Sequence, residues 1–180
     1  AITLDPQWKN GDYYDGEPGE GPHAGLAVAR SVAQITYRSD EVYQDRFGRN
    51  MVDPSQVFGH WDRFSVESYL DHHGEKLARR FDANSYLILN RAMDLHDVAR
   101  GRGSAERAFS MLQASVLSIS INTDTLYHPR LQSDLADLAR GAGVETEYQI
   151  IDSPHGHDGF LLEADAVGAA LGKFLDRADG

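Results

Sequence analysis

The stretch Ser153-Pro154-His155-Gly156-His157-Asp158-Gly159-Phe160 follows the apolar run Glu147-Tyr148-Gln149-Ile150-Ile151 and leads into the last amphipathic segment of the chain. A short β-branched run that stops at Ser-Pro and two glycines reads as a strand followed by a sharp turn. Gly156 and Gly159 flank His157-Asp158, so the backbone can bend tightly there and present an imidazole at the C-terminal edge of a sheet. Thirty-three residues before His157 stands Asp124, just after a second apolar run, Val116-Leu117-Ser118-Ile119-Ser120-Ile121, and its sequel Asn122-Thr123. An acid after one strand and a histidine after the next are the last two members of a triad whose chain order is nucleophile, acid, histidine. In that reading Asp124 orients the imidazole and His157 acts as general base. Other readings of the same residues stay open. His157 could cap the last helix, Asp124 could cap the helix that starts after Pro129, Asp152 could cap the last helix, and His155 is an alternative base.

Working outward, Arg130 to Arg140 has a helical pattern stopped by Gly141 and Gly143, and Val144 to Ile151 reads as the second strand. Phe160 to Ala178 forms a closing helix with Leu161, Leu162, Val167, Leu171, Phe174 and Leu175 on its apolar side. The result is a β-α-β-α tail. Two parallel strands cannot cover both faces of a sheet, so the tail is expected to complete a sheet begun elsewhere. No Gly-x-Ser-x-Gly element occurs in the 180 residues and there is no cysteine to replace the serine. The chain is therefore expected to be the C-terminal portion of an enzyme of α/β-hydrolase type, and inactive by itself.

Upstream the period changes. Residues 1–22 are rich in Gly and Pro, among them Gly11, Pro18 and Gly19, and read as an irregular arm. From His23 to Arg38 the apolar positions Leu26, Ala29, Val32, Ala33 and Ile35 fit a helix, which places Arg30 and Tyr37 two turns apart on one face. Residues 39–62 read as a mobile connection. Helical patterns follow over Phe64 to Arg80, Ala83 to Leu95 and Ala105 to Leu112. The expected division is a helical region over residues 1–112 and the βαβα part over 113–180. Tyr43, Phe47, Phe58, Trp61, Phe64 and Tyr69 are more aromatic residues than a small helical region needs for its own core, which predicts a homodimer.

Composition removes several classes. With 28 acidic against 17 basic residues, a net charge of −11 and no basic run longer than Arg79-Arg80, nucleic acid is not an expected partner. No segment approaches the roughly 20 apolar residues that span a bilayer, and Ala1-Ile2-Thr3-Leu4-Asp5 lacks the features of an export signal, so no membrane is expected. Zero cysteines fit a cytoplasmic location. Asp152, His155, His157 and Asp158 cluster in sequence, and His72-His73 and Asp94 to Asp97 add further possible ligands, yet no spacing fixes a third ligand. Neither a metal nor another cofactor is expected, and His72-His73 read as a solvated helix face.

The segments Asp5-Pro6-Gln7-Trp8-Lys9-Asn10-Gly11-Asp12-Tyr13-Tyr14, Ala29-Arg30 through Ile35-Thr36-Tyr37-Arg38-Ser39, Arg46-Phe47-Gly48-Arg49, Val66-Glu67-Ser68-Tyr69-Leu70, Arg80-Phe81-Asp82-Ala83-Asn84-Ser85-Tyr86-Leu87 and Gly156-His157-Asp158-Gly159-Phe160-Leu161 together resemble homoserine O-acetyltransferases. The resemblance implies an α/β fold class: the C-terminal part of an α/β-hydrolase fold with a helical lid over residues 1–112, the N-terminal half of the sheet being absent. It implies Asp124 as triad acid and His157 as triad base. It implies Arg30, Tyr37 and Asp158 as the groups that hold the amino acid, Arg30 by its carboxylate and Asp158 by its ammonium. The implied reaction moves an acetyl group from acetyl-CoA, a co-substrate, to L-homoserine in methionine biosynthesis, with the missing N-terminal half as partner. Succinyl transfer, another alcohol as acceptor, and a non-catalytic lid or dimerisation module remain alternatives. Asn122-Thr123 before Asp124 and Ser115-Val116 at the strand start depart from the family's usual residues without touching a proposed catalytic atom.

Overall fold

Apolar residues at helical spacing set α1 (His23–Ile35), which packs along α3 (Ser65–Ala78). The two helices approach closely because Gly74 has no side chain. A Cβ there would stand 2.6 Å from the Ala27 carbonyl oxygen, and Ser31 Oγ donates across the contact to Leu70 O at 3.1 Å. Leu26, Ile2, Ala78 and Ala83 form the small core. The structure, a computed structural model, describes residues 1–17, 20–56 and 59–178; Pro18 and Gly19 of the N-terminal arm and Phe58 of the aromatic set lie outside them.

The chain divides into two compact units, one of Ala1–Ile35 with Tyr43–His96, the other of Thr36–Val42 with Asp97–Gly180. Residue 112, the expected division point, thus falls inside the second unit. In the chain, α2 (Asp40–Arg46) runs across one of these boundaries.

In the first unit the irregular arm that glycines and prolines suggest is ordered into turns over residues 2–11, with a kink at Lys9 and Asn10, and holds no helix or strand over residues 12–17. Ile2–Leu4 and Pro6–Gly11 form 3-10 turns, the second opened by Asp5, whose Oδ1 accepts from Gln7 N at 3.0 Å. Side chains then fasten the arm to the start of α4 (Ala83–Asp94). Trp8 Nε1 donates to Asn84 Oδ1 at 2.9 Å, Asn84 Nδ2 donates to Gly11 O at 2.9 Å, and the Tyr13 and Tyr14 hydroxyls both donate to Asp82, which also caps α4. Composition cannot report such long-range hydrogen bonds. Tyr43, Phe47 and Tyr69 pack on one another, with the Arg46 guanidinium 4.7 Å above the Tyr69 ring. Half of the aromatic set is therefore used inside the unit, while Trp61 is 89% exposed.

In the second unit, β1 (Val116–Ile121) pairs in parallel with β2 (Thr146–Ile151), in register from Val116 opposite Thr146 to Ile121 opposite Ile151. Val144 lies before the strand because its N–H still bonds back to Ala139 O at 3.0 Å. Between the strands, α6 (Pro129–Gly141) packs on the sheet through Ala136 and Ala139, both fully buried. Its cap is His128, which accepts from Arg130 N, and not Asp124. α5 (Ala105–Phe109) is shorter than its pattern. The closing helix is in fact interrupted. A 3-10 turn over Gly156–Asp158 is followed by α7 (Gly159–Leu162), and α8 (Ala164–Ala178) starts after Glu163 leaves helical geometry. Apolar periodicity runs through that break and hides it. Ile150, Leu161 and Leu175 are each more than half exposed. No helix among the described residues is long and apolar enough to cross a membrane.

Candidate active site

Parallel pairing in register brings the C-terminal ends of β1 and β2 side by side, so the two loops that follow start at the same edge. Asn122 extends the ladder: its N–H donates to Ile151 O at 3.1 Å and its Oδ1 accepts from Ser153 N at 2.9 Å. Asn122 Nδ2 donates to Asp152, so Asp152 links the strand ends and does not cap the last helix. Thr123 Oγ1 donates to Ser153 O at 2.6 Å and accepts from Gly156 N at 3.0 Å.

The next residue is Asp124, 6% exposed. Its Oδ1 accepts from the N–H groups of Leu126 and Tyr127 at 2.8 and 2.9 Å, and its Oδ2 lies 2.9 Å from His157 Nδ1. A buried carboxylate is tolerable when its oxygens are hydrogen-bonded in this way. A carboxylate oxygen accepts, so the hydrogen of this bond lies on Nδ1, and in a neutral ring Nε2 is then the acceptor.

His157 is held from its own turn and from its ring faces. Gly156 has φ +64°, and a Cβ there would stand 2.6 Å from Ser39 N and 2.7 Å from Arg38 C, so no side chain fits. Ring centroids of Tyr127, Phe160 and Tyr37 lie 5.2, 5.4 and 5.7 Å from that of His157. A cleft of about 110 Å³ opens among Ile119, Ile121, Asp124, Tyr127, His157 and Phe160.

Of the five residues singled out by sequence, Asp124 and His157 meet directly, and Tyr37 lies against the imidazole. Tyr37 does not share a helix face with Arg30, since α1 ends at Ile35. The Tyr37 carbonyl, which a continuing helix would use at residue 41, accepts instead from Asp158 N at 3.0 Å. Arg30 belongs to the other unit, where its Nη2 donates to Gln34 Oε1 at 2.8 Å and Gln34 Nε2 donates to the Tyr69 hydroxyl. Burial, followed by the positive charges of Arg30, His72, Lys76 and Arg46, holds His73 below the usual histidine range. Hence His73 is half-buried beside Tyr69, and of the pair read as solvated only His72 is exposed. Asp158 Oδ2 is engaged by Arg38 Nη2 at 3.2 Å. His155 makes no such bond: its backbone N–H donates to Ser153 Oγ, and its ring Nδ1 is buried with no partner among the described residues. Sequence reasoning missed Thr123, Tyr127, Phe160, Arg38 and Ser39. Tyr127 had a signal, since an Asp three residues before it favours an Asx-type turn; Arg38 and Ser39 stood inside a segment of the family resemblance but were given no role.

No family model matches the chain. It is 43% identical to a homoserine O-acetyltransferase of Carboxydothermus hydrogenoformans over its whole length, covering 47% of that protein. It is 46% identical to one of Thermobifida fusca, with 97% of this chain and 45% of that one aligned. The chain thus spans about half the length of the curated relatives it matches. Among solved structures, homoserine O-acetyltransferase from Bacillus anthracis superposes with a TM-score of 0.77 at 28% identity over 90% of this chain and 42% of that one. Esterase E22 superposes with a TM-score of 0.82 over 97% of this chain and 47% of that one, at 24% identity, a likeness of fold alone. Along its whole length, the chain is a homologue of the C-terminal part of homoserine O-acetyltransferases, which have the α/β-hydrolase fold.

Proposed function

We propose that this chain supplies the acid and the base of an acetyl-CoA:L-homoserine O-acetyltransferase of methionine biosynthesis. The reading rests on one observation above all: a hydrogen-bonded Asp124–His157 pair at the ends of adjacent parallel strands, in a chain 43% identical throughout to such an enzyme. A serine from the rest of the enzyme gives its proton to His157 Nε2 and attacks the thioester carbonyl of acetyl-CoA. The C–S bond breaks, CoA takes the proton from the imidazolium, and an acetyl-serine remains. His157 then removes the hydroxyl proton of homoserine, whose oxygen attacks the acetyl carbon; the bond from that carbon to the serine oxygen breaks, and the imidazolium returns the proton to the serine. Asp124 stays ionised throughout and stabilises the imidazolium.

Arg30 is assigned the substrate carboxylate, Asp158 the ammonium and Tyr37 the wall beside the reacting hydroxyl. Asp158 offers Oδ1, since Oδ2 is held by Arg38. The exposed Trp61 and the uncovered α4 residues Ile88 and Met93 support a homodimer through the helical region. Cytoplasmic location follows from the cysteine-free sequence and the substrates. Steady-state kinetics on the complete enzyme test the reading. Parallel double-reciprocal lines for acetyl-CoA and homoserine, with little turnover of succinyl-CoA, are the expected result. Hydrolysis of acetyl-CoA without transfer, or preference for the succinyl donor, would refute it.

A further inference from the structure

The segment Tyr37-Arg38-Ser39, remote in sequence, forms a cradle for the histidine turn. Asp158 N donates to Tyr37 O, Ser39 Oγ donates to Pro154 O, and Gly156 lies on the Arg38–Ser39 backbone too closely to admit a methyl group. The charged link in this cradle is Arg38 Nη2 to Asp158 Oδ2 at 3.2 Å. Both side chains are 23% exposed, and Arg38 Nε is buried with no partner among the described residues. An ion pair that is partly solvated and leaves a buried donor unsatisfied contributes little to stability. Its value is geometric. Asp158 follows His157 on a single 3-10 turn, so a guanidinium that fixes the Asp158 carboxylate also fixes how the turn is rolled about its own axis. That roll decides whether Nδ1 meets Asp124 while Nε2 addresses the cleft. The N–H bonds of the turn, Gly156 to Thr123 Oγ1 and Asp158 to Tyr37 O, hold its backbone at two points, and Arg38 adds a hold through a side chain.

We infer that Arg38 is a positioning residue for His157, acting through Asp158; the inference rests on the acetyltransferase reading for its kinetic consequence but not for its geometry. In the complete enzyme, Arg38→Ala should lower kcat about 100-fold, the effect of an ångström-scale displacement of a reacting group, with KM for acetyl-CoA unchanged. Arg38→Lys, which keeps the charge and loses the planar fork, should recover part of that loss. Guanidinium at sub-denaturing concentration should partly restore Arg38→Ala and leave Asp124→Asn unrestored. The low-field proton NMR signal of His157 Nδ1–H should be sharp in the wild type, broadened or lost in Arg38→Ala, and present in Arg38→Lys. Should Arg38→Ala fail to fold, Arg38→Lys and its proton signal decide. An undisturbed low-field signal together with a wild-type kcat per folded enzyme would overturn the inference. Absence of acyl transfer in the wild type would refute the function and leave the NMR comparison to judge Arg38.

Discussion

The first unit is a structure fastened by side chains, the second a structure aligned by backbone. In the helical unit, Trp8, Asn84, Tyr13 and Asp82 knot the arm to α4, and α1 meets α3 over Gly74. In the βαβα unit, register puts Asn122, Asp124 and the histidine turn at one edge, and bonds across that edge and from residues 37–39 finish the placement. The exposed Ile150, Leu161 and Leu175 belong to the second unit, in a chain that covers under half of related solved structures. Precision at the edge that holds Asp124 and His157 therefore does not require a large local core. It requires two strands in register and a loop that cannot slip.

The largest test of that contrast is chemical. Asp124→Asn in the complete enzyme should lower kcat by about 10⁴-fold by placing the wrong imidazole tautomer before the cleft. Transfer kinetics showing less than a tenfold loss would detach Asp124 from the reaction.

Two glycine substitutions separate the regions next. Gly156→Ala combines a positive φ with a backbone clash, and Gly74→Ala forces α1 from α3; each should cost about 2–4 kcal/mol in urea unfolding of the complete enzyme. Their activities should differ. Gly156→Ala should lose kcat per folded molecule, whereas Gly74→Ala should keep it. Equal kcat values for the two variants would dissolve the distinction between the regions.

A smaller effect belongs to the side-chain knot. Asn84→Ala removes the acceptor of the Trp8 indole and the donor to Gly11, and should cost about 1–2 kcal/mol. Hydrogen exchange should rise in residues 1–14 and at the start of α4, and stay unchanged at β1. A rise at β1 would mean that the two regions unfold together.

The smallest effect is a pH dependence of the same knot. Burial works against ionisation of Asp82, but hydrogen bonds from Tyr13, from the Ser85 N–H and from Tyr14 outweigh it and hold its carboxyl below the usual range. A lowered acid pKa gives stabilisation that is complete above the unfolded value of about 3.9 and is lost as pH falls through the folded value. Burial, then the bond to Asp82, pushes the Tyr13 hydroxyl well above its usual range, so its contribution is complete below about pH 10 and is lost as pH rises further. Asp82→Asn should flatten the acid limb of unit-one stability, followed by exchange or fluorescence of Trp8. An acid limb identical to wild type would place the dependence elsewhere.

These contrasts also explain what the sequence made legible. Val116–Ile121 matches its β-branched run residue for residue, because a half-buried strand is written in its own pattern. Asp124 and His157 were legible because strand-end acids and histidines sit at fixed offsets from such runs. The arm misled because Asp5, Trp8 and Asn84 act across the chain, and no local period records a bond from residue 8 to residue 84. The paired reading of Arg30 and Tyr37 failed on one detail, the end of α1 at Ile35. The Tyr37 carbonyl, two residues past that end, is bonded to residue 158, beyond the reach of any window. Arg38 was visible only as part of a resembling segment, because its partner at residue 158 is equally remote.

The bond from Ser39 to Pro154 joins residues 115 positions apart in the chain. Closing a loop of that length costs on the order of 4 kcal/mol in chain entropy, and the histidine turn offers little local structure in return. The histidine turn is therefore expected to settle late, after the strand that precedes it. A molecule that has made its helices and its sheet still lacks a fixed His157 until this distant cradle closes, so the bond between His157 and Asp124 reports completion of the fold.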